Sequence, residues 1–137
     1  MMASFDSFRQ AINAQLEATR LAYNSNFVIE YENQVAVDKG NETAPFAFTR
    51  IRFRESEQIS VSNPRTRYRG EVQLFFCTKC GTGTKTLYEA AQAFATALQY
   101  KFIGGGQLEA ARLMPATEDN SWYVLPLMFS FYTDVST

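Results

Sequence analysis

The residues best suited to chemistry lie in one short stretch, Cys77-Thr78-Lys79-Cys80 followed by Gly81-Thr82-Gly83-Thr84-Lys85-Thr86. A CxxC between a strand and a helix is the arrangement of a thioredoxin-type redox pair, where the helix N-terminus acidifies a thiol. The surroundings differ here. Thr-Lys fills the gap, Gly81 and Gly83 place the helix start beyond both thiols, and the chain lacks the βαβ opening of that fold. A structural zinc needs four ligands, and two cysteines without histidine supply only half of them unless subunits share the site. Three readings of Cys77 and Cys80 therefore stand: inert loop thiols, a small thiol redox protein, or a shared metal site. The glycine-threonine stretch resembles the end of a phosphate-binding loop. Its spacing fails, because Thr84 rather than glycine precedes Lys85 and Lys79 stands where the earlier glycine belongs. Asn41-Glu42-Thr43 matches a glycosylation sequon, but the polar opening MMASFDSFRQ does not read as a secretory leader, so no glycan is expected there.

The chain contains no histidine. That removes the side chain titrating nearest neutrality and the commonest metal ligand, and with it Ser-His-Asp and Cys-His nucleophile activation. The expectation is a protein that is not an enzyme, with no cofactor and no metal.

The arginines form the clearest cluster. Arg50, Arg52, Arg54, Arg65, Arg67 and Arg69 are six of the thirteen basic residues, gathered in twenty positions. If the two segments pair as a hairpin, the arginines collect on one region. Such a face is either solvated and balanced by Glu55, Glu57 and Glu71, or bridged to an acidic surface of a neighbouring subunit, or set against nucleic-acid backbone. Phe46 and Phe48 beside them favour an interface. Phe46, Phe48, Arg50, Arg52, Arg54, Arg65, Arg67 and Arg69 are thus the candidate interface residues.

The elements that must position these residues follow from periodicity. A length of 137 residues points to one domain, 1–137. With net charge −1, no global field drives the chain onto nucleic acid or an anionic membrane. No apolar run approaches the roughly 20 residues a membrane span needs, so a soluble, cytoplasmic protein with reduced cysteines is expected. Aromatics make up 15% of the chain, a share that hints at assembly as well as a core. Phe5, Phe8, Ile12 and Leu16 recur at helical steps over Ser4 to about Ala22, with Ser4 as N-cap. Phe27–Glu32 reads as a short strand, and the Asp38–Asn41 stretch as part of a loop ending at Pro45. Phe46–Arg54 alternates as a strand, residues 55–66 read as a long polar loop, and Tyr68–Cys77 is the clearest strand, with Gly70 marking a bulge or bend. A second helix runs from Lys85 to Phe102 behind Thr84 as N-cap, stopped by Gly104-Gly105-Gly106. Leu108–Met114 and Trp122–Thr133 are strands about a turn at 115–121, and Pro126 argues for an edge position or a bulge. The expected fold class is α+β: two helices on a mainly antiparallel sheet of about five strands, in the order α-β-β-β-α-β-β.

That order, with certain segments, resembles the bacteriophage tail-terminator, or tail-completion, family that includes the minor tail protein U group. The resemblance lies in Tyr31-Glu32-Asn33, Phe48-Thr49-Arg50-Ile51-Arg52, the long loop, Tyr68-Arg69-Gly70-Glu71-Val72-Gln73, the Gly81-Thr82-Gly83 turn before a helix, and Trp122-Tyr123-Val124-Leu125-Pro126. It spans nearly the whole chain. The cysteine pair departs from the family pattern. The resemblance implies a structural virion protein at the head-proximal end of the tail, assembled in the host cytoplasm. It also implies a homo-oligomeric, six-membered ring that caps the tail tube, ends its polymerisation and presents a surface to head-completion proteins. Its partners would be the tail-tube protein, a head-completion or connector protein, and DNA passing through the lumen, with no membrane. A head-to-tail connector (stopper or adaptor) is the alternative.

Overall fold

Ser4 sets the start of the first helix. Its hydroxyl accepts from the Ser7 backbone N–H at 3.0 Å, and the Ser7 hydroxyl accepts from the Ser4 N–H at 2.9 Å. This reciprocal cap satisfies two donors that helix geometry leaves orphaned. Helix α1 then runs over Phe5–Tyr23 and buries Phe8, Ile12, Leu16 and Thr19. The computed structural model describes residues 4–32, 45–61, 65–81, 84–119 and 121–136. Asn33, the Asp38–Asn41 loop, the Asn41 sequon, positions 62–64 of the expected loop and Thr82-Gly83 lie outside the described residues.

After α1 come β1 (Val28–Glu30), β2 (Phe46–Ser60), β3 (Arg65–Lys79), helix α2 (Lys85–Leu98), β4 (Phe102–Ile103), β5 (Gly106–Leu113), β6 (Thr117–Asp119) and β7 (Trp122–Ser136). The class is α+β, and the sheet has seven strands rather than about five. Their order is β1-β2-β3-β7-β5-β4, with β6 also alongside β7. The pairs are antiparallel except β1 with β2. Both helices pack on one face. The core between the layers takes Phe8, Ile12 and Leu16 from α1 and Leu87, Phe94 and Leu98 from α2. The sheet contributes Val72, Leu74 and Phe76 from β3, Leu125, Leu127, Phe129 and Phe131 from β7, and Leu108 from β5. Seven of the twelve phenylalanines are buried and serve the core.

The expected loop at 55–66 is instead mostly strand. β2 continues to Ser60 and β3 begins at Arg65, with register shifts between Phe53 and Glu55 and between Gln58 and Ser60. These residues are polar because both faces of this end of β2 meet solvent, while backbone pairing to β3 holds them extended. Gly70 lies opposite Phe53, at the first shift. A Cβ there would stand 2.0 Å from the Arg52 carbonyl oxygen and 2.8 Å from the Phe131 ring. The missing side chain lets Phe53 and Phe131 meet edge to face across it, with ring centroids 5.4 Å apart.

Helix α2 stops at Leu98, not at Phe102, and Thr84 occupies its N-cap position without a side-chain hydrogen bond. Tyr100 and the Gly104-Gly105 pair take positive φ, and this turns the chain into the small β4–β5 hairpin. Phe102 therefore faces solvent instead of joining the helix stripe. The expected turn at 115–121 holds strand β6. Pro126 sits in β7, between β3 and β5, and not at an edge of the sheet. In a strand, one residue's N–H and C=O point to the same side. The Pro126 carbonyl accepts from the Met114 N–H at 3.0 Å, so its donor-less nitrogen faces that side too. There the β5 ladder ends at Leu113↔Leu127 and β6 resumes at Thr117↔Val124. Proline occupies the break between two short strands, where no donor is required.

Candidate functional site

Alternation along β2, β3 and β7 assigns each side chain to the helix face or the opposite one. Ala47, Thr49, Ile51 and Phe53 of β2 share the helix face with Tyr68, Val72, Leu74 and Phe76 of β3. Phe46, Phe48, Arg50, Arg52 and Arg54 therefore lie on the other face, with Arg65, Arg67, Arg69, Glu71, Gln73 and Phe75. The shift after Phe53 keeps Arg54 and Glu55 on this same side, since Glu55 pairs with Arg69. Among the described residues no helix or strand packs over this face. All eight candidate residues thus lie on one face of the sheet, as hairpin pairing predicts, although Phe46 is buried there.

The surface divides into two regions. Towards the hairpin end, Arg54, Arg67 and Arg69 are neutralised within the chain. Glu71 receives both Arg54 and Arg112, the latter at 2.7 Å. Arg69 pairs with Glu57 at 3.2 Å. Arg67 meets Asp134 through two parallel hydrogen bonds, Nε to Oδ1 at 2.8 Å and Nη2 to Oδ2 at 3.1 Å. Its guanidinium also lies 4.4 Å from the Tyr132 ring centroid. The Arg67 hydrogen bonds hold the Asp134 carboxyl below its ordinary pKa and raise that of Arg67. Arg112, Tyr132 and Asp134 escaped the sequence reading. Asp134 falls just past the expected end of the last strand, and only the β3–β7 register reveals its partner.

In the second region, Phe48 and Phe75 stack with centroids 4.7 Å apart and planes 15° from parallel. The Arg50 guanidinium lies 5.7 and 5.9 Å from the two rings. Val124, Pro126 and Met128 of β7 extend this half-buried apolar area. Arg50 and Arg52 here, and Arg65 at the hairpin end, are exposed and form no ion pair among the described residues. Phe46 is fully buried against Trp122, with ring centroids 5.2 Å apart, and so serves the fold. The face thus presents stacked aromatics and arginines outside direct ion pairs among the described residues, beside a self-satisfied ionic lattice.

The two cysteines of the CxxC differ in their surroundings. Cys77 is 2% exposed within β3 and its thiol donates to the Phe75 carbonyl at 3.7 Å, while Cys80 is exposed and no disulfide joins them. Both precede the first residue of α2, so neither sits at a helix N-terminus. No group of three or more His, Cys, Asp or Glu that could hold a metal occurs among the described residues. A surface cleft of about 440 Å³ beside β1 and β2 is lined by Glu30, Glu32, Arg50 and Arg52, with both signs of charge, together with Tyr31 and Thr49. Tyr31, part of the tail-terminator resemblance, has a structural role. Its hydroxyl donates to Glu17 at 2.7 Å, and Arg20 joins Glu17 to the Ser25 and Phe27 carbonyls. Burial and that acceptor push the Tyr31 hydroxyl well above its ordinary pKa. The network ties the end of α1 to β1. Among the described residues no helix is long and apolar enough to cross a membrane.

No protein-family model and no curated protein matches the chain. Solved protein structures match the chain, and one of them shares the fold with a TM-score of 0.70, at 14% sequence identity, over 98% of this chain and 99% of that one. Its name carries no functional description, and at this identity the likeness shows the fold alone.

Proposed function

We propose that this chain is a structural virion subunit, a tail terminator that closes into a ring on the end of a phage tail tube. It ends tube polymerisation and offers the surface to which the head is joined. The observation that carries the reading is a sheet face over which no described helix or strand packs, exposed at Arg50 and Arg52 although Phe46, Gln73 and Cys77 on it are buried. That face presents stacked Phe48 and Phe75 beside Arg50 and Arg52, which lack carboxylate partners among the described residues. Such a surface suits a protein partner better than a small substrate, because aromatic and arginine side chains dominate interface energetics. The order of elements and the segments resembling the tail-terminator family supply the biological setting. Six subunits, a head-proximal position and lumen contact with DNA belong to that proposal, as does the absence of catalysis.

Electron microscopy of the purified protein mixed with polymerising tail-tube protein tests it. Rings at tube ends and arrested tube length are expected, and Arg50→Glu with Arg52→Glu should abolish head joining or ring closure while leaving the fold intact by circular dichroism. A double variant that caps tubes and joins heads like the parent would sink the reading. Binding to a head connector ring without binding to tubes would favour the stopper or adaptor instead.

A further inference from the structure

The outer edge of β2 is open over most of its length. β1 pairs with β2 only from Phe46 to Phe48, and among the described residues no strand runs beside 49–60. Such an edge offers a row of main-chain donors and acceptors to another strand. Two contacts fix which groups point outward. The Arg52 carbonyl lies against Gly70 of β3, whereas the Ile51 N–H points away from β3 and donates to the Glu32 carboxylate. A strand residue's N–H and C=O share one side, and the side alternates along the chain. Thr49, Ile51 and Phe53 therefore present theirs to the open edge. Beyond the register shift, Arg69 and Arg67 of β3 keep the phase of Glu71 and face Glu55 and Glu57, so Ser56 and Gln58 carry the outward groups there. The cleft lined by residues 30–32 and 48–52 lies along this edge.

The side chains of the edge form a self-complementary row. On the arginine face the order is Arg50, Arg52, Arg54, Glu55, Glu57, cations first and acids last. Arg52 and Glu55 are exposed and form no ion pair among the described residues. Laid antiparallel on a second copy, this row meets its own complement. One register sets Arg52 opposite Glu55 of the second copy, and Arg50 opposite Glu57. The same register sets Ile51 opposite Ser56 and Thr49 opposite Gln58, all four with outward main-chain groups. A two-residue shift either way keeps that phase but parts Arg52 from Glu55. Phe53, 37% exposed on the helix face, falls beside the axis in each copy.

We propose that the open β2 edges of two copies pair antiparallel about a two-fold axis, with Arg52 of each copy against Glu55 of the other. The Glu32 carboxylate that caps the Ile51 N–H gives way to the Ser56 carbonyl of the second copy. The contact joins like patches, unlike the head-to-tail contact of a ring. It goes beyond the terminator reading and describes the chain before it meets a tube or head protein.

Sedimentation velocity of the full-length protein alone tests the pairing. A dimer is expected, and Arg52→Glu or Glu55→Arg should each weaken it about tenfold, since the two-fold repeats every like-charge contact. Both substitutions in one chain should restore it. A protein that stays monomeric, single variants that associate like the parent, or a double variant without rescue overturns the pairing. Disulfide trapping reads the register. Arg52→Cys and Glu55→Cys chains, both in a Cys80→Ser background and distinguished by mass, are mixed at high concentration and oxidised with copper phenanthroline. Unlike cross-links should exceed like ones about tenfold, because a disulfide needs Cα atoms within about 7 Å and like positions lie further apart in this register. Equal yields, or an excess of like cross-links, overturn it. Dimers that form as expected from a protein unable to cap tubes leave the pairing standing and remove the terminator reading. A monomer that caps tubes does the reverse.

Discussion

Asp134 keeps its charge because Arg67 binds both of its oxygens, and that makes the pair a source of pH-dependent stability. The folded-state pKa of Asp134 lies below its ordinary value, principally through the Arg67 hydrogen bonds. A carboxyl depressed on folding contributes stability in full above its unfolded pKa of about 3.9, and loses it as pH falls through the folded value. Asp134→Asn should therefore lower unfolding free energy near neutrality by about 1 kcal/mol, as both side chains are partly solvated. Urea titrations at a series of pH values should show the parent and variant converging below pH of about 3.9. A constant difference down to pH 2 would mean that the asparagine disturbs packing instead. The arginine half of this pair was plain in the sequence as one of a spaced row. The carboxylate was not, since the two positions are 67 residues apart and meet only through the β3–β7 register.

At the scale of elements, sequence legibility followed burial. α1, α2, β3 and β7 each put a periodic apolar face into the core, and each was readable to within a few residues at one end or both. β4 and β6, with two and three residues, are too short to show a period. The outer half of β2 has no buried face, so its strand character was invisible. Phe102 follows Leu98 at a helical step, yet the chain leaves the helix between them. A glycine at position 70 signals a bulge or bend, and the register shift opposite it gives the reason. Gly70→Ala forces a methyl group into the Arg52 carbonyl and the Phe131 ring. Overpacking of this kind should destabilise the protein by about 3 kcal/mol. Gly81→Ala is the control: nothing lies within 4 Å of its Cβ position, and only the positive φ of 88° opposes substitution, a penalty of about 1 kcal/mol. Equal losses for the two variants in urea unfolding would show that the bulge relaxes and that the Phe53–Phe131 contact does not depend on it.

For the whole molecule, the arrangement of charge matters more than its sum. The chain carries a net charge of −1, yet seven arginines lie on one face of the sheet. Four of these, Arg54, Arg67, Arg69 and Arg112, are held by carboxylates of the same chain. Arg50, Arg52 and Arg65 form no ion pair among the described residues, so about three phosphates per subunit is the most this face can neutralise without breaking its own lattice. Each phosphate neutralised contributes about −0.9 to the slope of log affinity against log salt. Isolated subunits should accordingly bind duplex DNA only in the non-specific range, about 10⁻⁴ M or weaker, with a slope no steeper than about −3. Replacing Arg50 and Arg52 with glutamine should flatten that slope by about 2. Fluorescence anisotropy on labelled duplex between about 50 and 200 mM salt reads both quantities. A slope steeper than about −5 in the parent would mean that DNA draws Arg54, Arg67 and Arg69 away from their carboxylates. The ionic half of the face would then be a nucleic-acid surface rather than an internal brace, and protein docking would be confined to the aromatic half around Phe48 and Phe75.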